Sequence, residues 1–167
     1  MLYKYLYKSE SGAITLLANN HGLLGAWLEN QEKFGGTFDL TKVAFISDRQ
    51  ESPIIDKAIS WLDNYFKGQQ LEKIDFPLMP QGTAFQQDVW AEIQKIPYGQ
   101  TISLEKLGDR VASRQTKGKG SLNAIAGAIK TNPITIIIPD HRVINMNQAN
   151  IGDHVNDKMI LDFEKTF

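Results

Sequence analysis

The sequence predicts an α+β fold in which strands come first and helices come second. Three observations carry this expectation. Short apolar runs separated by turn residues fill the chain as far as Ile46. A helical period then lies between a Ser-Pro start and a glycine stop at 52–68, and three further helical stretches fall between 83 and 130.

Leu2–Tyr7 alternates bulky residues with lysine, and Ala13–Ala18 is a short apolar run. Asn19, Asn20, His21 and Gly22 supply turn chemistry before Leu23–Leu28, so the three runs read as a hairpin or meander. Phe34-Gly35-Gly36 interrupts the pattern, and Leu40–Ile46 is predicted as a further strand. Ser52 is placed to cap a helix with Pro53 at its first position. Ile55, Ile59, Leu62 and Phe66 form one stripe of that helix, and Gly68 stops it. Residues 69–82 hold two prolines and little periodicity. The predicted division is therefore a first domain over 1–75, a linker over 76–82 and a second domain over 83–167.

Phe85, Val89, Trp90, Ile93 and Ile96 share the inner face of a helix that ends at Pro97-Tyr98-Gly99. Ser103 caps the next, with Leu104, Leu107 and Val111 inward and Lys106 where a capping box would want Glu. After a polar stretch, Ser113–Gly120, a third helix spans Ser121–Lys130 and is rich in small residues. Two short helices with a basic connection suit a helix-turn-helix that binds DNA; they equally suit two helices packed closely through Ala and Gly.

Composition narrows the function classes. Hydrophobic residues make up 42% and charged residues 22%, which places the chain among ordinary globular proteins. The net charge of -1 gives no overall attraction to polyanions, yet residues 101–130 carry six basic side chains against two acidic ones. That local excess of four is either a footprint for nucleic acid or a solvated loop. No apolar stretch approaches the roughly 20 residues that span a bilayer, and the LYKYLYKSE that follows Met1 is unlike a signal peptide. The chain has no cysteine, so it can form no disulfide and can perform no thiolate chemistry. A cytoplasmic, monomeric protein without cofactor or membrane partner is the expectation.

Ile136-Ile137-Ile138 reads as a buried β run that Pro139 ends, leaving Asp140 and His141 on a tight turn. Such a turn can hold reactive side chains at a surface opening; an Asp that favours turns and a satisfied His are the plainer alternative.

Five segments of the second half resemble the O6-alkylguanine-DNA alkyltransferases, also called methylated-DNA–protein-cysteine methyltransferases. They are GTAFQQDVW (82–90), IPYGQTIS (96–103), AGAIKTNPI (126–134), IIIPDHRV (136–143) and a closing helix with Ile160, Leu161 and Glu164. GLLGAWL (22–28) and SPIIDKAISWLDNYFKG (52–68) are similar to the first domain of two-domain bacterial members. The resemblance implies a ribonuclease-H-like N-terminal domain and a winged-helix-like C-terminal domain. It also implies suicidal transfer of a methyl group from guanine O6 to a cysteine that a Glu–His–water relay turns into a thiolate. In that pattern a small-residue helix enters the DNA minor groove, an Arg on it fills the gap left by the flipped nucleotide, and a Tyr helps to rotate the nucleotide out.

Carried over residue by residue, His141, Arg142, Asn132, Pro133 and Glu164 match. The acceptor position holds Asp140, the position of the intercalating Arg holds Asn123 and that of the Tyr holds Leu104. About five extra residues fall around Arg114–Gly120, and Gly152-Asp153-His154-Val155-Asn156 replaces the usual glycine-rich lid. The resemblance thus implies double-stranded DNA as partner, met by Ser121, Asn123, Ala124, Gly127, Arg142, Lys117, Lys119 and Leu104. A carboxylate attacks methyl carbon far less readily than a thiolate, so methyl transfer is not expected. Non-catalytic binding of DNA or of the lesion is expected instead; a lesion-independent DNA-binding module and a degenerate paralogue that contacts protein are the alternatives. Turnover through an Asp140 methyl ester, and a metal held by Asp140, His141, Asp153 and His154, are weighed and not adopted.

Overall fold

A computed structural model describes residues 1–31, 33–69, 73–114, 121–145, 151, 160, 163 and 164. The three N-terminal runs form a meander of β1 (Tyr3–Ser9), β2 (Gly12–Ala18) and β3 (Leu23–Leu28), antiparallel and in that order. Tyr3 faces Ala18 and Ile14 faces Leu28, with an irregularity at Leu17/Ala18. Gly12 makes the first turn at φ 114°, a value that suits glycine alone. Asn19 makes the second, its side chain accepting from the N–H groups of His21 and Gly22. Every residue of β3 is buried. Gly25 is required there, because a Cβ would stand 2.0 Å from the Trp27 ring.

The predicted strand over Leu40–Ile46 does not form. Asp39 turns its carboxylate onto the N–H and hydroxyl of Thr41, and a 3-10 turn at Leu40–Lys42 results. This local bond competes with strand pairing, and only a bridge between Phe45 and Lys4 remains. Ser52 caps α1 (Pro53–Phe66) through Ile55 N–H, with Pro53 opening the helix, and Gly68 beyond it has φ 84°. Ile55, Ala58, Ile59, Leu62 and Tyr65 are its buried face.

The free edge of β3 receives two later segments. Leu23 exchanges hydrogen bonds with Pro77 and Met79 at 2.9 and 2.7 Å, so part of the predicted linker is fastened to the sheet. Ala26 does the same with Pro133 and Thr135 at 2.8 and 2.9 Å. The N-terminal sheet therefore holds the backbone that leads to Asp140.

The second half contains α2 (Ala84–Ile93), β4 (Ile102–Ser103), α3 (Leu104–Ala112), α4 (Leu122–Lys130) and β5 (Val143–Ile144). A capping box between Thr83 and Gln86 starts α2. Ser103 caps α3, as the sequence predicts, and Ser121, expected as the first residue of the third helix, is the cap of α4. Gly108 lets α4 approach α3: a Cβ there would lie 3.1 Å from Ile125 Cδ1. β4 and β5 pair in parallel. One apolar core runs from Ile14 and Leu16 through Leu62 and Trp90 to Ile129 and Ile138, joining both halves.

Candidate functional site

The segment 134–138 is a folded-back turn and not the β run expected of three isoleucines. Ile138 N–H donates to Ile134 O at 3.0 Å, Ile137 N–H to Thr135 O at 2.9 Å, and Ile136 sits at φ 73°. A β-branched residue rarely adopts that conformation, which costs on the order of 1–3 kcal/mol and gathers at functional sites. The isoleucines are buried as expected; an apolar run alone cannot distinguish a strand from a buried turn. Pro139 then leads into a 3-10 turn, Asp140–Arg142, and on to β5.

All three residues of this turn are buried, and Asp140 and His141 have no exposed surface. Asn132 organises the turn: its amide donates to Ile138 O at 2.8 Å and to Asp140 Oδ2 at 3.2 Å, while its Oδ1 accepts from Ile134 N–H. Asp140 was expected at the mouth of a pocket. It is fully enclosed, and it is not among the residues that line the cleft of Leu24, Trp27 and Trp90.

Glu164 brings the remaining predicted site residues together. Arg142 clamps it through Nε to Oε1 and Nη2 to Oε2, both 2.8 Å, and His141 Nε2 lies 2.5 Å from Oε2. Gly99 N–H donates to Oε1 at 3.0 Å, and the Tyr65 hydroxyl donates to Oε2 at 2.5 Å. Burial pushes the Glu164 carboxyl up, but the hydrogen bonds and charges of His141 and Arg142 outweigh it and hold the group well below the usual carboxylate range. Burial, followed by the adjacent Glu164 charge, raises the Tyr65 phenol far above its ordinary value. The cluster is an anchored ion pair with a histidine attached, able to fix the imidazole in one orientation.

One expected DNA contact lies elsewhere, and the basic residue that opens the inserted segment is likewise engaged within the fold. Arg142 is turned inward, its third nitrogen donating to Ile96 O at 2.7 Å and its guanidinium beside the Tyr98 ring, so it does not face a phosphate. Arg114 pairs with Glu92 at 2.7 Å and reaches Asp88 at 3.7 Å, which draws it onto α2. Ser121, Asn123, Ala124, Gly127 and Lys130 are exposed on the outer face of α4, and the Ser121 hydroxyl is occupied in capping Ala124 N–H. Leu104 is half-buried against the core. Lys117, Lys119 and the segment 152–156 lie outside the described residues.

Sequence reasoning missed Tyr65, which reaches Glu164 across 99 positions and carries no local signal. It also missed Leu122, which stands 39% exposed on the first turn of α4 beside Asn123. Its place just inside the Ser121 cap was readable; its failure to turn inward was not.

Comparison with known proteins accounts for both halves. Residues 2–80 match the ribonuclease-like domain of 6-O-methylguanine DNA methyltransferase, and residues 84–165 match the DNA binding domain of the same family. The methylated-DNA–protein-cysteine methyltransferase of Mycobacterium leprae is 34% identical over 145 residues, covering 84% of this chain and 82% of its own. That of Haemophilus influenzae is 28% identical over 151 residues, or 90% and 78% of the two chains. The crystal structure of Mycobacterium tuberculosis O6-methylguanine methyltransferase superposes with a TM-score of 0.79 at 28% identity, covering 99% of this chain and 94% of that one. Mycobacterium tuberculosis OGT in complex with DNA gives 0.80 at 28% identity, with 98% and 93% covered. Agreement in sequence and in fold along the whole length establishes that this chain, though devoid of cysteine, belongs to the methylated-DNA–protein-cysteine methyltransferase family.

Proposed function

We propose that the chain binds DNA, O6-alkylguanine lesions included, without accepting the alkyl group. The observation that carries this reading is Asp140: an enclosed carboxylate, tied to Asn132, at the position that the family resemblance assigns to the acceptor cysteine. A carboxylate spreads its charge over two oxygens and is a poor nucleophile toward methyl carbon. Each tenfold loss in rate is only about 1.4 kcal/mol of barrier, so a modest fall in nucleophilicity removes several decades. The neighbouring side chains are held in two groups, Asn132 on Asp140, and His141 with Arg142 on Glu164.

The outer face of α4 supports DNA as the partner, since Asn123, Ala124 and Gly127 leave room for a close approach. The DNA complex of the Mycobacterium tuberculosis relative supports it as well. Asn123 is too short to fill the gap left by a flipped nucleotide, and the exposed Leu122 beside it supplies apolar bulk of the kind that wedges between base steps. Leu104 in place of a tyrosine favours a second reading, a DNA-binding module indifferent to the lesion.

Gel-shift titration with an O6-methylguanine duplex and the plain duplex separates the two. Tighter binding to the lesion is expected. Equal affinity removes lesion recognition, and no shift with either duplex removes DNA binding. Asp140→Cys, assayed with a methyl-labelled duplex, is expected to transfer one methyl group per protein; a folded but inert variant would show that the acceptor is not the only missing part.

A further inference from the structure

Gln31 stands just beyond β3, where the chain leaves the N-terminal sheet. Its backbone N–H donates to Leu28 O at 3.0 Å, and its side-chain Oε1 accepts from Leu28 N–H at 3.1 Å. The amide is therefore fixed by its own strand. A second donor reaches the same oxygen from the other half of the chain: the Thr135 hydroxyl, 104 positions away, at 2.8 Å. Both residues are buried.

The other end of the amide shows what its oxygen is worth. Nε2 is buried and has no hydrogen-bond partner among the described residues. A buried donor left unsatisfied is costly, and turning the amide round would not relieve it, because Leu28 N–H and the Thr135 hydroxyl both need an acceptor. An apolar side chain would fill the space without that cost. What the amide adds is the pair of bonds at Oε1.

Thr135 is thus held at two points, by Gln31 through its hydroxyl and by Ala26 O through its N–H at 2.9 Å. Ile136 follows at φ 73°, and the turn closes at once through Ile137 N–H to Thr135 O and Ile138 N–H to Ile134 O. A β-branched residue stays in the left-handed region only where its surroundings over-determine it. Asn132 fixes the far end of the turn, at Ile138 O and Asp140 Oδ2. We infer that Gln31 is a positioning residue for the site: by holding the Thr135 hydroxyl it keeps Ile136 left-handed, and so sets where the Asp140–Arg142 turn stands against a bound lesion. The last clause rests on the lesion-binding reading; the hold on the turn does not.

Native-state amide hydrogen exchange and gel-shift titration of the full chain test the two parts separately. Thr135→Val keeps the shape of the side chain and removes its hydroxyl, and Gln31→Leu removes the acceptor. In both, exchange at Ile137 and Ile138 is expected to quicken at least tenfold, with the amides of the β1–β2 pair unchanged. Thr135→Ser, which keeps the hydroxyl, is expected to exchange as the wild type does. The preference for an O6-methylguanine duplex over the plain one is expected to fall at least threefold in Thr135→Val and to be retained in Thr135→Ser, with plain-duplex affinity constant. The inference is overturned by wild-type exchange at Ile137 and Ile138 in Thr135→Val, by equal quickening along the whole chain, or by an undiminished lesion preference beside a loosened turn. A wild type without lesion preference removes the lesion-binding reading instead, and exchange still decides whether Gln31 holds the turn. Where a variant does not fold, the wild type decides: its Thr135 hydroxyl proton is expected to exchange slowly enough for NMR detection, and rapid exchange overturns the bond.

Discussion

The Glu164 cluster and the outer face of α4 lie in the same half of the chain and are built in opposite ways. Around Glu164 a buried carboxylate receives donors from His141, Arg142, Gly99 and Tyr65, the last of them from the other half of the chain. Along α4 the exposed positions are mostly small, and Gly127 would have nothing within 4 Å of an added Cβ. The first region is over-determined, so any single change there is felt as stability. The second is under-filled, so changes there are felt by whatever approaches from outside. A site of this design can lose its reactive group while its frame stays rigid.

The largest expected effect comes from breaking the first region. Glu164→Gln leaves the Arg142 guanidinium in the interior without its counter-charge, which should cost about 3–5 kcal/mol in urea unfolding. The same change should alter the acid limb of stability. Glu164 is held below its unfolded value in the folded chain, so near that value the unfolded state binds more protons. Its contribution is complete above about pH 4.5, the ordinary value of the group, and is lost as pH falls below it. The wild-type protein should therefore weaken on acidification through this range, while Glu164→Gln should show a flatter profile. An equally steep profile in the variant would assign the acid sensitivity to other carboxylates.

Tyr65→Phe is the milder break. It removes one hydrogen bond to a charged acceptor and leaves the ring packing, so about 1.5–3 kcal/mol is expected. Because Tyr65 lies on α1 and Glu164 in the second half, the variant also asks whether the halves unfold together. A single transition, lowered in midpoint, is expected; two separated transitions would mean that the apolar core does not couple them.

Much of this architecture is legible in the sequence, and each exception has its own physical cause. The Asn19–Gly22 turn of the meander, the Ser52-Pro53 helix start and the cap at Ser103 are local signals, decided by residues within four positions of one another. Leu40–Ile46 misleads because its flanking Asp39 offers the backbone a competing bond. Ile136–Ile138 misleads because burial and strand formation are different properties; here the backbone is held by Asn132 and by β3, neither of which is adjacent in sequence. At the site, the family resemblance brought Asn132, His141, Arg142 and Glu164 onto one list, but the direction of a side chain is set by distant partners. Arg142 therefore turns inward to Glu164, and Arg114 is drawn to Glu92.

The smallest effect on stability, and the sharpest on function, is expected at Gly127. Glycine inside a helix is less favourable than alanine by about 1 kcal/mol, because it surrenders more backbone freedom on folding. Since an added Cβ meets no neighbour, Gly127→Ala should raise the unfolding free energy by about 0.5–1 kcal/mol. Gly127→Leu should fold as well as the wild type, because its side chain projects into solvent. If DNA lies against this face, that same side chain occupies the space the duplex needs, and gel-shift affinity should fall at least tenfold with no loss of stability. Unchanged affinity in Gly127→Leu would place the DNA elsewhere on the molecule. In that case the exposed small residues of α4 are no DNA surface, and the close approach of α4 to α3 rests on Gly108 and Ile125 alone.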